Sequence, residues 1–450
     1  MDGDLMTLAE KIYEYSSESM EKSLDEKTVT EIKKRIVDSI FVSYGARKAE
    51  PVQLAIKSLL PSSGKIKSRL YFYNKKASAE ISTFINGCMT RYLDYNDTYL
   101  SKEALHPSDN IPPLIAVGEG LDLKGEDLIK SIFVAYQVVG ALSDAVSIRD
   151  RGWDHVTYIS ISSAAGLASL TGLDKNKFIH TLNLGINNNI SLRQTRAGEL
   201  SMWKGCTAAN ASRNSVFAYM LSSHGFTGPG PIFEGEMGFF KQVSGEFDLD
   251  FSNNRVLKTM IKNHPVEYHA MSAVDAAMKI KNRLKDPTSE IKRIDIDTFT
   301  VAWKIIAKDP EKYRPKTRET ADHSMPYIIA YTLVYGEPTP ASYSDNFLND
   351  KKIISLIDKM TINVDKEFDK MYPEYLPVRI KVYTDKNEYM EEVIVPKGHF
   401  KAPYEWEDLK NKGLKLMKDE ERVNRIILAG KDIEKISIKE FLDVVNDVKA

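Results

Sequence analysis

The chain has only two cysteines in 450 residues, Cys88 and Cys206. So low a count excludes a disulfide framework, a zinc site built on thiolates and an iron–sulfur cluster held by three or four thiolates of this chain. No uncharged apolar stretch of about 18 residues occurs, so no membrane-spanning helix is expected. The first residues, Met-Asp-Gly-Asp-Leu-Met, are acidic and lack the apolar run of a secretory signal, which gives the expectation of a cytoplasmic protein. An excess of one charge is lacking too. The 62 Lys and Arg and 63 Asp and Glu leave a formal net charge of −1, whereas a dedicated nucleic-acid binder normally carries a basic excess. Neither nucleic acid nor membrane is expected as a partner, and any anion site must be a local cluster rather than a global field. Also missing are a Gly-x-Gly-x-x-Gly turn after a strand, a Walker loop and a Gly-x-Ser-x-Gly elbow. The eight histidines are scattered and show no metal-ligand spacing. No metal and no cofactor is therefore expected.

What is present is an ordinary globular composition, 42% apolar and 28% charged, long enough for two or three domains with a large core. The first half reads helical. Ile32, Ile36, Val37, Ile40, Phe41 and Tyr44 share one helix face, with Gly45 as a stop. Residues 82–99, 126–147, 159–173 and 206–224 read as further helices. The run from Ile159 is rich in Ser, Ala and Gly, which suits a closely packed central helix, and Asp174 reads as the N-cap of the next one. Near residue 290 the period changes to two. Ile294-x-Ile296-x-Thr298, Met360–Val364, Val378–Val382 and Glu392–Val395 read as strands, the last two flanking a hairpin at Asp385-Lys-Asn387. The expected fold is multidomain, α and α+β. A large all-helical domain covers residues 1–265, completed by C-terminal helices from 401–450. A smaller α+β domain covers 266–400.

Two dense clusters suggest a site. Arg193-Gln-Thr-Arg196-Ala-Gly-Glu-Leu-Ser-Met-Trp-Lys204 places three fixed cations and a Trp within a dozen residues. Guanidinium and ammonium groups give carboxylates or phosphates several charge-assisted hydrogen bonds, so an anionic ligand is indicated, either class being open. Tyr313-Arg-Pro-Lys-Thr-Arg-Glu-Thr-Ala-Asp-His323 is the second cluster, either a loop of solvated charges or a site wall leading into an apolar helix. Asp94 and Thr98 lie four apart and read as sharing a helix face, aimed into a pocket or forming a helix end. His106 precedes Pro107-Ser-Asp-Asn110 and is either a surface histidine or a site residue whose neutral, basic imidazole is favoured by a helix N-terminus. His155, beside Gly152-Trp-Asp154, is either a satisfied core residue or a site residue. His269 heads a helix near the proposed domain junction, a common place for ligand sites.

Four segments in this order resemble the MmgE/PrpD family along nearly the whole chain. They are Leu93-Asp-Tyr-Asn-Asp-Thr98 with His106-Pro-Ser-Asp109, Arg196 through Gly205, Thr227-Gly-Pro229 with Phe233-Glu-Gly-Glu236, and Arg318 through Pro326. The run from Arg193 to Phe240 is most similar to members that dehydrate 2-methylcitrate. Other members are cis-aconitate decarboxylases and iminodisuccinate epimerases. The resemblance implies a helical domain, a smaller α+β lid domain with the active site between them, a homodimer and independence from iron–sulfur clusters. It implies a lyase acting on a small tricarboxylate by cofactor-free acid–base chemistry. A non-catalytic anion-binding protein would be expected to have lost this His and Lys set. Carried over residue by residue, the family's site falls on Asp94, Thr98, His106, His155, Lys204, His269 and Tyr313, with Arg196 and His323 added on motif strength. The expected roles are proton transfer by His106, His155 or His269, charge stabilisation by Lys204 with Arg196, orientation of a histidine by Asp94, and substrate binding by Thr98, Tyr313 and His323.

Overall fold

A computed structural model describes residues 6–50, 52–53, 56, 66–187, 189–198 and 200–447; residues 1–5, on which the N-terminal expectation rests, lie outside the described residues. The chain divides into two compact units. The first consists of Met1–Arg196, Gly205–Ile261 and Glu405–Ala450, and the second of Ala197–Lys204 and Lys262–Tyr404.

The first unit holds α1 (Leu8–Glu21), α2 (Glu26–Ala46), α3 (Ala79–Arg91), α4 (Ile111–Gly120), α5 (Gly125–Ala145), α6 (Val156–Leu170), α7 (Lys175–Asn187) and α8 (Thr207–Ser223). Every residue of α6 is buried. Small side chains make that possible. A Cβ at Gly166 would stand 3.1 Å from that of Ala135 on α5, so the two helices pack with little between them. Helix α5 is long and apolar enough to cross a membrane, yet 78% of its apolar window is buried against the rest of the unit, as in a core helix. Asp174 caps α7, accepting from the Lys177 N–H at 3.0 Å. Gly45 is not a stop. Helix α2 runs past it to Ala46, and a Cβ there would meet Leu416 and Leu93 side chains at 2.8 Å, so the glycine serves close packing.

The first unit is mostly helical, as expected, and adds two short strand pairs. β1 (Lys67–Arg69) pairs with β2 (Lys76–Ser78), and β3 (Tyr99–Leu100) with β4 (Ala104–Leu105), both antiparallel. Strands of two or three residues offer too few alternating positions to reveal a period. The helix expected over 82–99 likewise ends early, at Arg91. Both cysteines are buried and free. Burial, with Cys206 beside it, pushes the Cys88 thiol well up.

In the second unit, α9 (Met271–Lys281) and α10 (Met325–Tyr335) pack on each other, and α9 lies against a four-stranded sheet. The sheet order is β6 (Met360–Val364), β5 (Ile291–Thr298), β7 (Val378–Thr384), β8 (Glu388–Val393). The β5–β6 pair is parallel and the others are antiparallel. Alternation is legible in the central strands, where Ile294, Ile296, Val378, Ile380 and Val382 are all buried. His264, buried at the entrance to this unit, stands 2.9 Å from Asp275 and 3.1 Å from Glu337. Burial opposes its protonation, but the two carboxylates outweigh it and raise its pKa.

The chain then returns to the first unit through α11 (Trp406–Met417), α12 (Glu420–Lys431) and α13 (Ile438–Val445). Helix α11 packs on α2 and carries Lys412 into the interior. The ammonium pairs with Asp38 of α2 at 2.6 Å. It also donates to the Tyr95 carbonyl at 2.8 Å and stands 3.9 Å over the Tyr95 ring. Burial pushes Asp38 up to about 6 even with Lys412 opposing it, so the pair is held against a large desolvation cost. Lys412→Met should therefore destabilise the protein by about 3–5 kcal/mol, because a buried carboxylate loses its counter-charge. The double variant Asp38→Leu/Lys412→Met should recover most of that loss. Urea denaturation followed by tryptophan fluorescence at pH 7.5 measures both, and equal losses in the single and double variants would contradict the account.

Candidate active site

In the first unit, α3 ends at Arg91 and the chain turns through Tyr92–Asp97 with every residue but Tyr92 buried. Asp94 sits at φ 50°, a left-handed conformation that aspartate tolerates better than most residues. Asp94 and Thr98 thus share no helix face, contrary to the sequence expectation. Asp94 instead ion-pairs with Arg91. The second guanidinium nitrogen of Arg91, Nη2, stands 2.8 Å from His106 Nε2. His106 Nδ1 lies 2.6 Å from the Asp97 carbonyl and 3.2 Å from Thr98 Oγ1. A carbonyl only accepts and a guanidinium only donates, so the partners define the ring: Nδ1 carries the proton and Nε2 accepts from Arg91. Asp94 therefore bears on His106 through Arg91.

Asp97 points away from this group. It accepts from the Ser108 N–H at 2.9 Å and from the Tyr136 hydroxyl at 2.8 Å, and burial raises its pKa despite the Ser108 bonds. Asp109 is pushed up to about 7 by burial, which outweighs the nearby Arg91.

His155 stands at the N-terminus of α6, its ring 6.1 Å from that of His106. Its Nδ1 is 3.4 Å from Asp154 and its Nε2 is 3.5 Å from Arg196 Nη2. Arg196 Nε pairs with Asp154 at 2.8 Å. Burial first, and the Arg196 charge second, hold His155 well below the ordinary histidine range, so the ring is neutral. Asp154 stays ionised. Burial works against that, but the Arg196 charge outweighs it. Arg193 donates its N–H to the Gly152 carbonyl at 2.9 Å and serves the turn before His155.

In the second unit, Lys204 and Asp322 are each 1% exposed, with Nζ and Oδ1 3.4 Å apart. His323 Nδ1 lies 2.5 Å from the same carboxylate oxygen and 3.4 Å from Lys204 Nζ. The Glu267 N–H donates to the Asp322 carbonyl at 2.8 Å, tying this triad to a second dyad. There, Glu267 Oε1 stands 2.7 Å from His269 Nδ1, and Glu267 Oε2 accepts the His269 N–H at 2.8 Å. Glu267 is held down at about 2. Burial alone would raise it, but His269 and then His323 and Lys262 outweigh that. A carboxylate at Nδ1 fixes the proton there and leaves Nε2 as the basic atom. That nitrogen faces the Tyr372 hydroxyl at 3.4 Å, and Tyr372 is itself stacked on Phe299.

Tyr313 ends a short 3-10 turn, Pro310–Tyr313, and is only half-buried. It is Lys312 that turns inward. Burial lowers its pKa, and Asp322 and Glu267 act on it in the opposite sense. The structure thus gathers Asp94, Thr98, His106, His155 and Arg196 in the first unit, and Lys204, His269 and His323 in the second. Sequence reasoning missed Arg91, Asp154, Glu267, Asp322 and Tyr372 as participants. The signal for three of them was an acidic residue one or two positions before a histidine. Among the described residues, no group of three or more His, Cys, Asp or Glu is placed to hold a metal ion.

The MmgE/PrpD N-terminal domain matches residues 7–252 and the MmgE/PrpD C-terminal domain matches 264–435. The chain is 26% identical over 404 residues to a 2-methylcitrate dehydratase of Escherichia coli K12, covering 81% of each. It is 27% identical over 344 residues to that of Salmonella typhimurium, covering 71% of each. Against an alkylcitrate dehydratase of a fungal species the figure is 27% over 399 residues, 80% of this chain and 78% of that one. With both family domains matched in order over most of its length, this chain belongs to the MmgE/PrpD family.

Proposed function

We propose that this protein eliminates water from 2-methylcitrate, or a closely related alkylated citrate, to give 2-methyl-cis-aconitate without a cofactor. It is an enzyme of the dehydratase type, a carbon–oxygen hydro-lyase with a small carboxylic acid as substrate. The observation that carries the reading is the Glu267–His269 dyad, held beside a buried Lys204–Asp322–His323 triad. The names of the relatives support the same chemistry.

Elimination breaks the C–H bond α to a carboxylate, forms the C=C bond and expels a β-hydroxyl. We assign proton abstraction to His269 Nε2. The ionised Glu267 orients the ring and stabilises the imidazolium that forms, a contribution of roughly 10²–10⁴-fold for such a base. The neighbouring carboxylate gathers negative charge as the proton leaves. Lys204 supplies the positive charge to meet it, in a buried setting where that charge is worth more than in water. The departing hydroxide needs a proton. His155, kept neutral by burial and Arg196, is a poor acid, so we assign delivery to a His323 imidazolium, which ends neutral and leaves Lys204 charged. Thr98, Arg196 and Tyr313 remain candidates for holding the substrate's carboxylates, while Asp94 bears on His106 through Arg91.

The test is incubation of purified protein with 2-methylcitrate, citrate and cis-aconitate, with and without a chelator. Enoate absorbance should rise with 2-methylcitrate, unchanged by the chelator. Release of CO₂ from cis-aconitate would make the protein a decarboxylase instead, and no turnover of any substrate would leave an anion-binding protein. Glu267→Gln should lower kcat roughly 10³–10⁴-fold with KM little changed, as expected when an orienting carboxylate is lost; a normal kcat would remove His269 from the base role. Lys204→Ala should abolish turnover and also cost about 3–5 kcal/mol of stability, because Asp322 is left charged and buried. Lys204→Ala/Asp322→Asn should regain the stability and not the turnover, which separates catalytic loss from unfolding.

A further inference from the structure

We infer that Arg91 is a positioning residue that locks His106 as the neutral Nδ1–H tautomer and occupies its Nε2 lone pair, so that His106 orients the site and does not act as a base. Arg91 is buried at the last turn of α3, where a basic residue would otherwise be read as a partner for the helix dipole. Its fork is divided between two tasks: one Nη pairs with Asp94 and the other meets His106 Nε2 at 2.8 Å. On the opposite side of the ring, the Asp97 carbonyl at 2.6 Å takes the Nδ1 proton. A proton added to Nε2 would set its N–H against the Arg91 N–H, donor against donor. The alternative tautomer would do the same and would also turn the Nδ1 lone pair toward a carbonyl oxygen.

The arrangement has an internal parallel. At His155 a second arginine, Arg196, faces Nε2 while Asp154 lies on the Nδ1 side. That ring is driven neutral by burial and by the arginine. The two arginine-faced rings lie 6.1 Å apart. At His269 an acidic group again stands at Nδ1, but Nε2 faces the Tyr372 hydroxyl instead of an arginine. The chemistry of the partner, donor-only or acceptor-only, thus sorts the histidines into holders and bases.

Histidine-selective ¹⁵N labelling tests this on the intact protein, with the His106 signals assigned by their loss in His106→Asn. Protonated and bare ring nitrogens have well-separated shifts. Wild type should show His106 with Nδ1 protonated and Nε2 bare at pH 7. Arg91→Ala should move the ring to a mixture of tautomers, and Arg91→Lys, which still offers donors, should restore part of the wild-type pattern. Finding wild-type His106 protonated on Nε2, or unaltered in Arg91→Ala, would overturn the inference. Should Arg91→Ala not fold, the wild-type tautomer and Arg91→Lys decide it. The kinetic arm rests on the dehydratase reading: Arg91→Ala should lower kcat roughly 10²-fold, as misplacement of a site group does, with partial rescue by added guanidinium. The spectroscopic arm stands whatever the substrate proves to be.

Discussion

A charge taken out of water must be paired, and this protein places most of its functional groups out of water. Asp94, Arg91, Lys204, Asp322 and Glu267 are all buried. The cost of isolating any of them would be several kcal/mol, so each has a counter-charge or a hydrogen-bond partner within its own unit. That requirement decides the chemistry. A carboxylate accepts only, so at Nδ1 of His269 it fixes the proton there and leaves Nε2 as the accepting atom. A guanidinium donates only, so at Nε2 of His106 or His155 it consumes the lone pair and opposes a second proton. One residue type is given two opposite roles by the sign of the group beside it.

Much of the fold is legible in the sequence because long periodic segments declare themselves. The small-residue run after Ile159, the apolar helix from Gly125 and the hairpin at Asp385–Asn387 follow from patterns longer than the ambiguity of any one residue. The reading weakens where elements are short or where tertiary contact overrides the local signal. Gly45 looks like a helix stop because glycine usually is one; here it lies inside the last turn, where Leu416 and Leu93 pack closely over it, and the helix ends one residue later at Ala46. The stretch after Arg91 carries a helical pattern, but a left-handed Asp94 and the Arg91 ion pair turn the chain out of the helix.

The candidate site divides along the same line. Histidines and Lys204 are visible as motifs because their types are rare or clustered. Their partners are not, since Asp and Arg are common and their roles depend on which atom they face. Asp154 and Asp322 stand directly before histidines that the sequence singles out, and Glu267 stands two before His269. That spacing suggests a partner without saying which ring nitrogen it meets. Tyr313 and Lys312 make the same point from the other side. Adjacent on a short turn, Tyr313 stays half-buried while Lys312 turns inward.

Sequence contiguity and physical unity also part company here. The run from Arg193 to Lys204 reads as one anion-binding motif, yet Arg196 belongs to the first unit, where it pairs with Asp154, and Lys204 belongs to the second, where it pairs with Asp322. The C-terminal family domain extends to residue 435, yet residues from Glu405 onward belong to the first unit. Lys412 gives the physical reason for the second case. Its ammonium is buried against Asp38 and the Tyr95 carbonyl, so the last helices supply the counter-charge to α2 and a donor to the turn that carries Asp94. Without that return, a carboxylate of the first unit would be buried unpaired and the turn would lose a charge-assisted hydrogen bond. The order of residues in the chain is set by the backbone; which residues act together is set by where each buried charge finds its partner.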